Sequence, residues 1–409
     1  MSEIERLLAE HCPEGVEYRS LGDVGTFIRG NGLQKSDLLS EGFPAIHYGQ
    51  IHTVYGTTTD KTVSFVDSSF AARLRQARSG DLIIATTSED DAAVAKAVAW
   101  TGKSDVAVSG DAYIYRHSMD PAFVSYWFQT EAFQSQKRRH VTGTKVRRVS
   151  GDNLARIRIP APPLEVQREI VAILDKMERL EAELEAELEA RRRQYAYYRD
   201  ALLTFDEAGG IRWVPMGDAG TFLRGKRFTK ADYAPDGIAC IHYGEIYTHY
   251  GTSASEARSH LRSEVAPSLR FAEPGDVVVV DVGETPEDVG KAVAWIGPEP
   301  VAIHDHSYAY RSDLDAVFLS HVMQTSWFRR QKLKYVARTK VNTLLVDGFA
   351  KISIPVPALA VQKRIASQLD SFDALVNDLS SGLPAEIAAR RKQYEYYRDR
   401  LLSFEELAA

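Results

Sequence analysis

Gly22-Asp-Val-Gly-Thr-Phe-Ile-Arg-Gly30 returns as Gly217-Asp-Ala-Gly-Thr-Phe-Leu-Arg-Gly225, and the two stretches stand 195 positions apart. The same offset separates Ile46-His-Tyr-Gly from Ile241-His-Tyr-Gly, Lys96-Ala-Val-Ala-Trp from Lys291-Ala-Val-Ala-Trp, and Thr144-Lys-Val from Thr339-Lys-Val. Roughly 40% of positions from Gly22 to Asp175 match at this offset, which chance does not produce. A period this long means two copies of one domain, not a solenoid. Beyond Asp370 the offset moves to 199, where Arg191-Arg-Arg-Gln-Tyr-Ala-Tyr-Tyr-Arg-Asp matches Arg390-Arg-Lys-Gln-Tyr-Glu-Tyr-Tyr-Arg-Asp. The second copy therefore carries four extra residues before Arg390, near Ser380-Ser-Gly-Leu-Pro384, where Gly and Pro predict a turn or kink.

Each copy has two compositional parts. The first mixes short β-branched runs with Gly and Pro punctuation. Asp81-Leu-Ile-Ile-Ala-Thr-Thr and Asp276-Val-Val-Val-Val-Asp read as corresponding buried strands, each entered from a Gly turn. The tyrosine alternation at Ala112-Tyr-Ile-Tyr-Arg and Ser307-Tyr-Ala-Tyr-Arg predicts another strand, and Phe123 to Arg139 and Phe318 to Tyr335 read as helical. The second part is helix. After Pro160-Ala-Pro-Pro163 no Gly or Pro interrupts Leu164 to Leu203, and Ile170, Leu174, Met177 and Leu184 lie on one apolar stripe. Some 40 residues at ~1.5 Å each predict a rod on the order of 60 Å. Its partner, from Leu359 to Leu402, carries Ile365, Leu369, Phe372 and Leu375. One stripe cannot bury itself, so the economical arrangement packs the two helices together, antiparallel; the simpler alternative lays each helix on its own domain.

The fold class that follows is α/β (mixed α+β) domains in tandem duplication, separated by two long helices forming an antiparallel coiled coil. The segments read along the chain are 1–158, 159–207, 208–353 and 354–409. With 409 residues, 44% hydrophobic and 26% charged, the chain can bury real cores and is not a disordered one. A net charge of −6 excludes a polybasic binder but not a basic face. No apolar run approaches a membrane span, and the start, MSEIERLLAEHCPEG, lacks the pattern of a secretory signal. Two cysteines, Cys12 and Cys240, make neither a disulfide framework nor a four-cysteine zinc site. A soluble, cytoplasmic chain without a membrane partner is expected.

The charge is unevenly placed. Residues 20–158 carry 17 basic against 14 acidic side chains, residues 211–353 carry 17 of each, and 159–210 carry 7 against 12. No acid stands between Glu131 and Asp152, but Lys137, Arg138, Arg139, Lys145, Arg147 and Arg148 do. None stands between Asp315 and Asp347, where Arg329, Arg330, Lys332, Lys334, Arg338 and Lys340 fall. A charge block that recurs while its sequence varies suits a face that contacts phosphate, against the plainer reading of a solvated helix face. Arg29 and the group Arg224, Lys226 and Arg227 form a second basic locus. His47-Tyr48-Gly49-Gln50 and His242-Tyr243-Gly244-Glu245 place polar and aromatic groups around a Gly, a loop able to reach base edges or simply a packed turn. Gln can pair with adenine and Glu can accept from cytosine, so Gln50 and Glu245 are the candidates for any difference in readout.

Motifs for chemistry are missing from the sequence. It has no Walker loop, no G-x-G-x-x-G, no G-x-S-x-G and no Asn-Pro-Pro-Tyr type of methyltransferase motif. No Lys follows an acid by two positions, as metal nucleases require. His304-Asp-His306 could suggest a metal, but its counterpart Ser109-Gly-Asp111 lacks both histidines, so ordinary loop residues are expected and no metal site is assigned. The chain is expected to be non-catalytic.

Two diverged domains, each followed by a long helix with a near-identical end, resemble the specificity subunit of Type I restriction-modification enzymes. The resemblance spans the chain. It is most specific from Gly143-Thr-Lys-Val through Pro160-Ala-Pro-Pro-Leu-Glu-Val-Gln to Asp175, which looks like the family's junction into its conserved helix, and Thr339 to Asp370 repeats it more loosely. The family often shows Glu-Gln where this chain has Val166-Gln167 and Val361-Gln362. The resemblance implies that each domain is a target recognition domain reading one half of a bipartite double-stranded DNA sequence. It implies that the helices fix the spacer and dock two methylation subunits. Those partners would bind S-adenosylmethionine and methylate adenine, this chain binding no cofactor itself; restriction subunits, when present, would supply cleavage. A related system whose partner fuses methylase and nuclease would look the same from this chain, and a duplicated protein-binding scaffold without DNA readout is the other class left open. The match between the copies further predicts similar half-sites, a target close to an interrupted palindrome. A four-residue change in the Leu180–Ala190 repeat should move the spacer by about two base pairs, ~6 Å.

Overall fold

The computed structural model describes residues 3–205, 210–338, 341–377 and 382–407. These form two compact units, one of residues 1–182 with 389–409 and one of residues 183–388. The units divide the molecule differently from the segments read along the chain. Each takes one mixed α/β domain together with stretches of both helical regions.

Each domain is built on a five-stranded sheet with the same strand order. In the first it runs Gly25–Arg29, Ala112–His117, Leu82–Ala85, Ala97–Trp100, Thr58–Thr59, and in the second Gly220–Arg224, Ser307–Ser312, Val277–Val280, Ala292–Trp295, Ser253–Ala254. The predicted buried strands are the central ones, and all four residues of each are buried. They lack polar alternation because both faces of the sheet are covered. Leu82 and Ile84 face the helices, while Ile83 and Ala85 face a smaller second sheet. In the second domain Val277 and Val279 take the helix side, and Val278 and Val280 the sheet side. The acid that opens each strand is an internal anchor. Asp81 accepts two hydrogen bonds from Arg116 (3.1 and 2.7 Å), and Asp276 accepts two from Arg311 (2.9 and 2.7 Å). The second sheet carries the strands Phe43–Ile46 and Val106–Val108, paired in parallel, with Ile238–Ile241 and Val301–Ile303 as their counterparts.

The stretches read as single helices after each tyrosine strand are each broken in two. Pro121–Trp127 is followed by Glu131–Arg138, and Ala316–Met323 by Ser326–Lys332. A threonine makes the break: Thr130 Oγ1 accepts from Phe133 N and donates to Trp127 O, and Thr325 does the same between Phe328 and Val322. A side-chain cap of this kind starts a new helix wherever it falls.

The long helix runs unbroken over Leu164–Leu202, 39 residues. Its partner is two helices, Leu359–Asn377 and Gly382–Leu401, the second starting at a glycine with φ +67°, a left-handed conformation that glycine adopts at little cost. Gly382 belongs to the stretch expected to turn. Leu383 and Pro384 of that stretch already lie in the first turn of the helix, and Ser380 and Ser381 lie outside the described residues. In the first unit Glu178 and Glu181 of the long helix meet Tyr394 (3.0 Å) and Arg391 (2.6 Å), partners whose numbers fall as the others rise, so the helices are antiparallel. In the second unit Tyr198 stacks on Phe372. The two packing alternatives hold together: Ile170 and Leu174 bury against strands and helices of their own domain in a cluster that also takes in Leu402, just past the end of the partner helix, with Tyr394 and Leu401 of that helix packed against it. Ile365 and Leu369 are buried likewise, Met177 and Leu184 are half-buried, but Phe372 is 44% and Leu375 60% exposed, so Leu375 is not a packing residue of this fold. Gln167 and Gln362 pin each helix start to its domain, accepting from Asp120 N and Asp315 N (both 2.8 Å) and donating to Pro162 O and Pro357 O. Among the described residues no helix is long and apolar enough to cross a membrane.

Candidate nucleic-acid interface

Three loops meet at one end of each domain and line a groove of about 350 Å³. In the first domain they are the exit from Gly25–Arg29, the turn His47-Tyr48 and the turn Ser109–Asp111. The exit needs glycine: a Cβ on Gly30 would stand 2.2 Å from Ser109 O, and one on Gly225 would stand 2.1 Å from His304 O. The arginine before it ties the turn in place, Arg29 Nε donating to Gly110 O (2.9 Å) and Arg224 Nε to Asp305 O (3.0 Å). A second arginine, which the sequence reading missed, holds the first: Arg75 donates to Arg29 O and Arg270 to Arg224 O. Arg75 and Arg270 also match at the 195-residue offset, the one signal that could have found them.

His47 and His242 cap the short helices Tyr48–Thr53 and Tyr243–Thr248, their Nδ1 atoms accepting from Gly49 N (3.2 Å) and Gly244 N (3.1 Å). Burial lowers both imidazoles below the usual histidine value and keeps them neutral, as an accepting nitrogen must be. Gln50 and Glu245 are engaged within the turn itself. Each closes a capping box by accepting from the histidine N–H (2.9 Å in both), and each is held from the other side by a serine, Ser64 with Gln50 and Ser259 with Glu245. Tyr48 and Tyr243 do line their grooves.

The linings differ where the frames agree. Ser109, Gly110 and Asp111 of the first groove stand where the second has His304, Asp305 and His306. His304 packs among Phe228, His242 and Tyr243, and burial pushes it down to about 4, so its 2.9 Å approach to Asp305 is no ion pair at neutral pH. His306 Nδ1 lies 3.3 Å from the buried carboxylate of Asp281, whose other oxygen accepts from Arg224 at 3.4 Å. Burial raises Asp281 above the usual carboxylate range, while His306 and Arg224 pull it back. Among the described residues no three His, Cys, Asp or Glu side chains are grouped to hold a metal.

The basic windows resolve into three kinds of residue. Lys137 and Lys332 are structural: Lys137 Nζ donates to Ala92 O, Val94 O and Gln134 Oε1, and Lys332 Nζ to Glu287 O and Val289 O. Neither can reach a phosphate from there; desolvation holds both ammonium groups down at about 8. Arg147 is tied to Asp91 (2.9 Å) and Arg138 to Glu131. Lys145 and Arg148 are exposed on the hairpin that follows, as Arg338 is in the second domain, and Arg139, Arg329, Arg330 and Lys334 are exposed on or just beyond the helix ends; Lys340 lies outside the described residues. Groove and hairpin share a strand end. Thr86 N donates to Asp111 O (2.9 Å) and Val149 N to Thr86 O (3.2 Å); in the second domain Asp281 N donates to His306 O and Leu344 N to Asp281 O. Arg227 lines the second groove beside exposed Lys226. The helix cations Arg138, Arg139, Arg329 and Arg330 share no hydrogen bond with the groove loops among the described residues. The arrangement suits a polyanion with edges to read: exposed cations on a hairpin, adjoining a polar, aromatic groove.

Comparison with known proteins is consistent with that chemistry. The model of the Type I restriction modification DNA specificity domain matches residues 13–190 and 275–389. The chain is 31% identical over 297 residues to the EcoR124I/EcoR124II specificity subunit of a type I restriction enzyme of Escherichia coli, covering 69% of this chain and 70% of that one. Its fold is similar to a chain in a solved type I restriction-modification system, with a TM-score of 0.66 at 18% identity, over 95% of this chain and 98% of that one.

Proposed function

The chain belongs to the Type I restriction-modification DNA specificity family, and from that membership we propose that each unit reads one half of a bipartite duplex target while the paired helices set the spacer and dock two methylation subunits. A specificity chain selects sequence and leaves the chemistry to its partners. S-adenosylmethionine is expected on the methylation partner, with restriction subunits adding cleavage where they are present. The observation that carries the reading is the groove and its adjoining basic hairpin, built twice on the same frame of Arg29, His47, Tyr48 and Arg75 and of Arg224, His242, Tyr243 and Arg270. A frame repeated so closely supports half-sites that are largely alike.

The test is a methylation map of DNA from cells expressing the chain with its methylation subunit. The expected result is one bipartite motif, lost when this chain is omitted, whose halves match at most positions. Two unrelated halves would overturn the near-palindrome, and the absence of any motif that depends on this chain would overturn the specificity role. Four residues added within Leu180–Ala190, and matched in the partner helix, should lengthen the spacer by about two base pairs and leave both halves intact, since they add ~6 Å of helix.

A further inference from the structure

The two grooves share their frame, so any difference in what they read must come from the lining. The largest chemical change is a linked pair. In the first unit Thr86 donates its hydroxyl to Asp111 O (2.9 Å), which leaves the Asp111 carboxylate at the groove with only a loose 3.7 Å approach of Arg29. In the second unit the counterpart of Thr86 is Asp281, whose side chain is 1% exposed, and the counterpart of Asp111 is His306, 41% exposed. A buried carboxylate is costly unless paired. Asp281 is paired with the His306 ring and with Arg224, whose counterpart Arg29 has Thr86 in place of that buried acid. A carboxylate at Nδ1 selects the tautomer with hydrogen on that nitrogen and leaves Nε2 as the one available to a ligand. Position 281 therefore exists to orient position 306.

Resting on the DNA-specificity reading, we propose that Asp111 and the Asp281-oriented His306 are counterpart specificity-determining residues, and that the two half-sites differ at the base pair each one faces. The chemistry gives the difference a direction. A carboxylate only accepts hydrogen bonds, so Asp111 suits the exocyclic amino group of cytosine or adenine and repels the acceptor edge of guanine. In the tautomer that Asp281 selects, Nε2 of His306 is a single acceptor without a full negative charge, so the second groove repels an acceptor edge less strongly than the Asp111 carboxylate does and offers an amino group one acceptor in place of two. Asp281 is a positioning residue that acts through His306.

The experiment exchanges the pairs in the full chain, expressed with its methylation subunits, and maps the methylated motif. Asp281→Thr with His306→Asp should change one position in one half-site; Thr86→Asp with Asp111→His should change the matching position in the other half. Methylation of the original motif should fall on the order of tenfold or more in each case, with spacer and remaining bases unchanged. Retention of the original preference by both pairs, or a change in the same half-site for both, would overturn the proposal. Should a paired exchange fail to accumulate, His306→Gln alone, at an exposed position, is measured in the complex by competition among duplexes altered at each base pair. Relaxed discrimination at a single position supports the proposal, and unaltered discrimination at every position refutes it. A chain without substitutions that directs no motif would instead remove the underlying reading, so the two failures are distinct.

Discussion

Lys137 and Lys332 fall in the most basic stretches of the chain, yet they serve the fold. Each is the ammonium that fixes a loop between two strands, and each is desolvated for it. In the unfolded chain a lysine titrates near 10.4, against about 8 here, so the unfolded state holds more protons between those values. Stability therefore rises as pH climbs from about 8 to about 10, and the charged form costs stability below that window. Lys137→Met with Lys332→Met should flatten that rise in thermal melts across pH 8 to 10 and leave the salt dependence of DNA binding unchanged. Lys145→Ala and Arg148→Ala should do the reverse, each lowering the slope of log affinity against log salt by about 1. At this scale the sequence distinguished basic stretches from acidic ones but not exposed cations from buried ones. Burial depends on which carbonyls a side chain meets across some 45 residues of chain, and no local pattern carries that.

The helix ends repeat more closely than anything else in the chain, and the structure explains only part of that. Asp200 and Asp399 cap the helices that begin at Ser326 and Glu131, Tyr195 and Leu203 are buried, and so is Leu402. Tyr197 and Tyr396, at the same place in the two copies, are 71% and 58% exposed, with Tyr198 and Tyr397 exposed beside them. Internal packing does not require these tyrosines, and exposed aromatics with arginines nearby are what a protein interface uses. Tyr197→Ala with Tyr396→Ala should weaken docking of the methylation subunit by tenfold or more in a pull-down or titration, with no loss of melting temperature. Helix periodicity was legible over the whole of Leu164–Leu202 because no breaker falls in it. The breaks at Thr130 and Thr325 were not, because a threonine side chain that caps a helix looks in sequence like any threonine inside one.

For the whole molecule the duplication was plain from a constant offset, and with it the repeated sheet and the repeated groove. What the offset concealed is that a compact unit is not a copy. The first unit is completed by residues 389–409, from the far end of the chain. Val16 N donates to Glu405 O (2.8 Å), Leu407 N donates to Val16 O (3.0 Å), and Phe404 packs into the first core as Phe205 does into the second. The second unit draws Phe205 and Arg212 from one stretch of the sequence, whereas in the first two stretches far apart in the sequence meet side by side. The order in which the copies are strung is thus not something the fold requires. A rearranged gene that begins at Ile211, runs to Leu407, rejoins through a flexible Gly-Ser bridge at Glu3, so that the helix Glu3–His11 with its buried Ile4 is kept, and stops at Gly210 should give a protein with the same melting temperature within a few degrees and the same methylated motif.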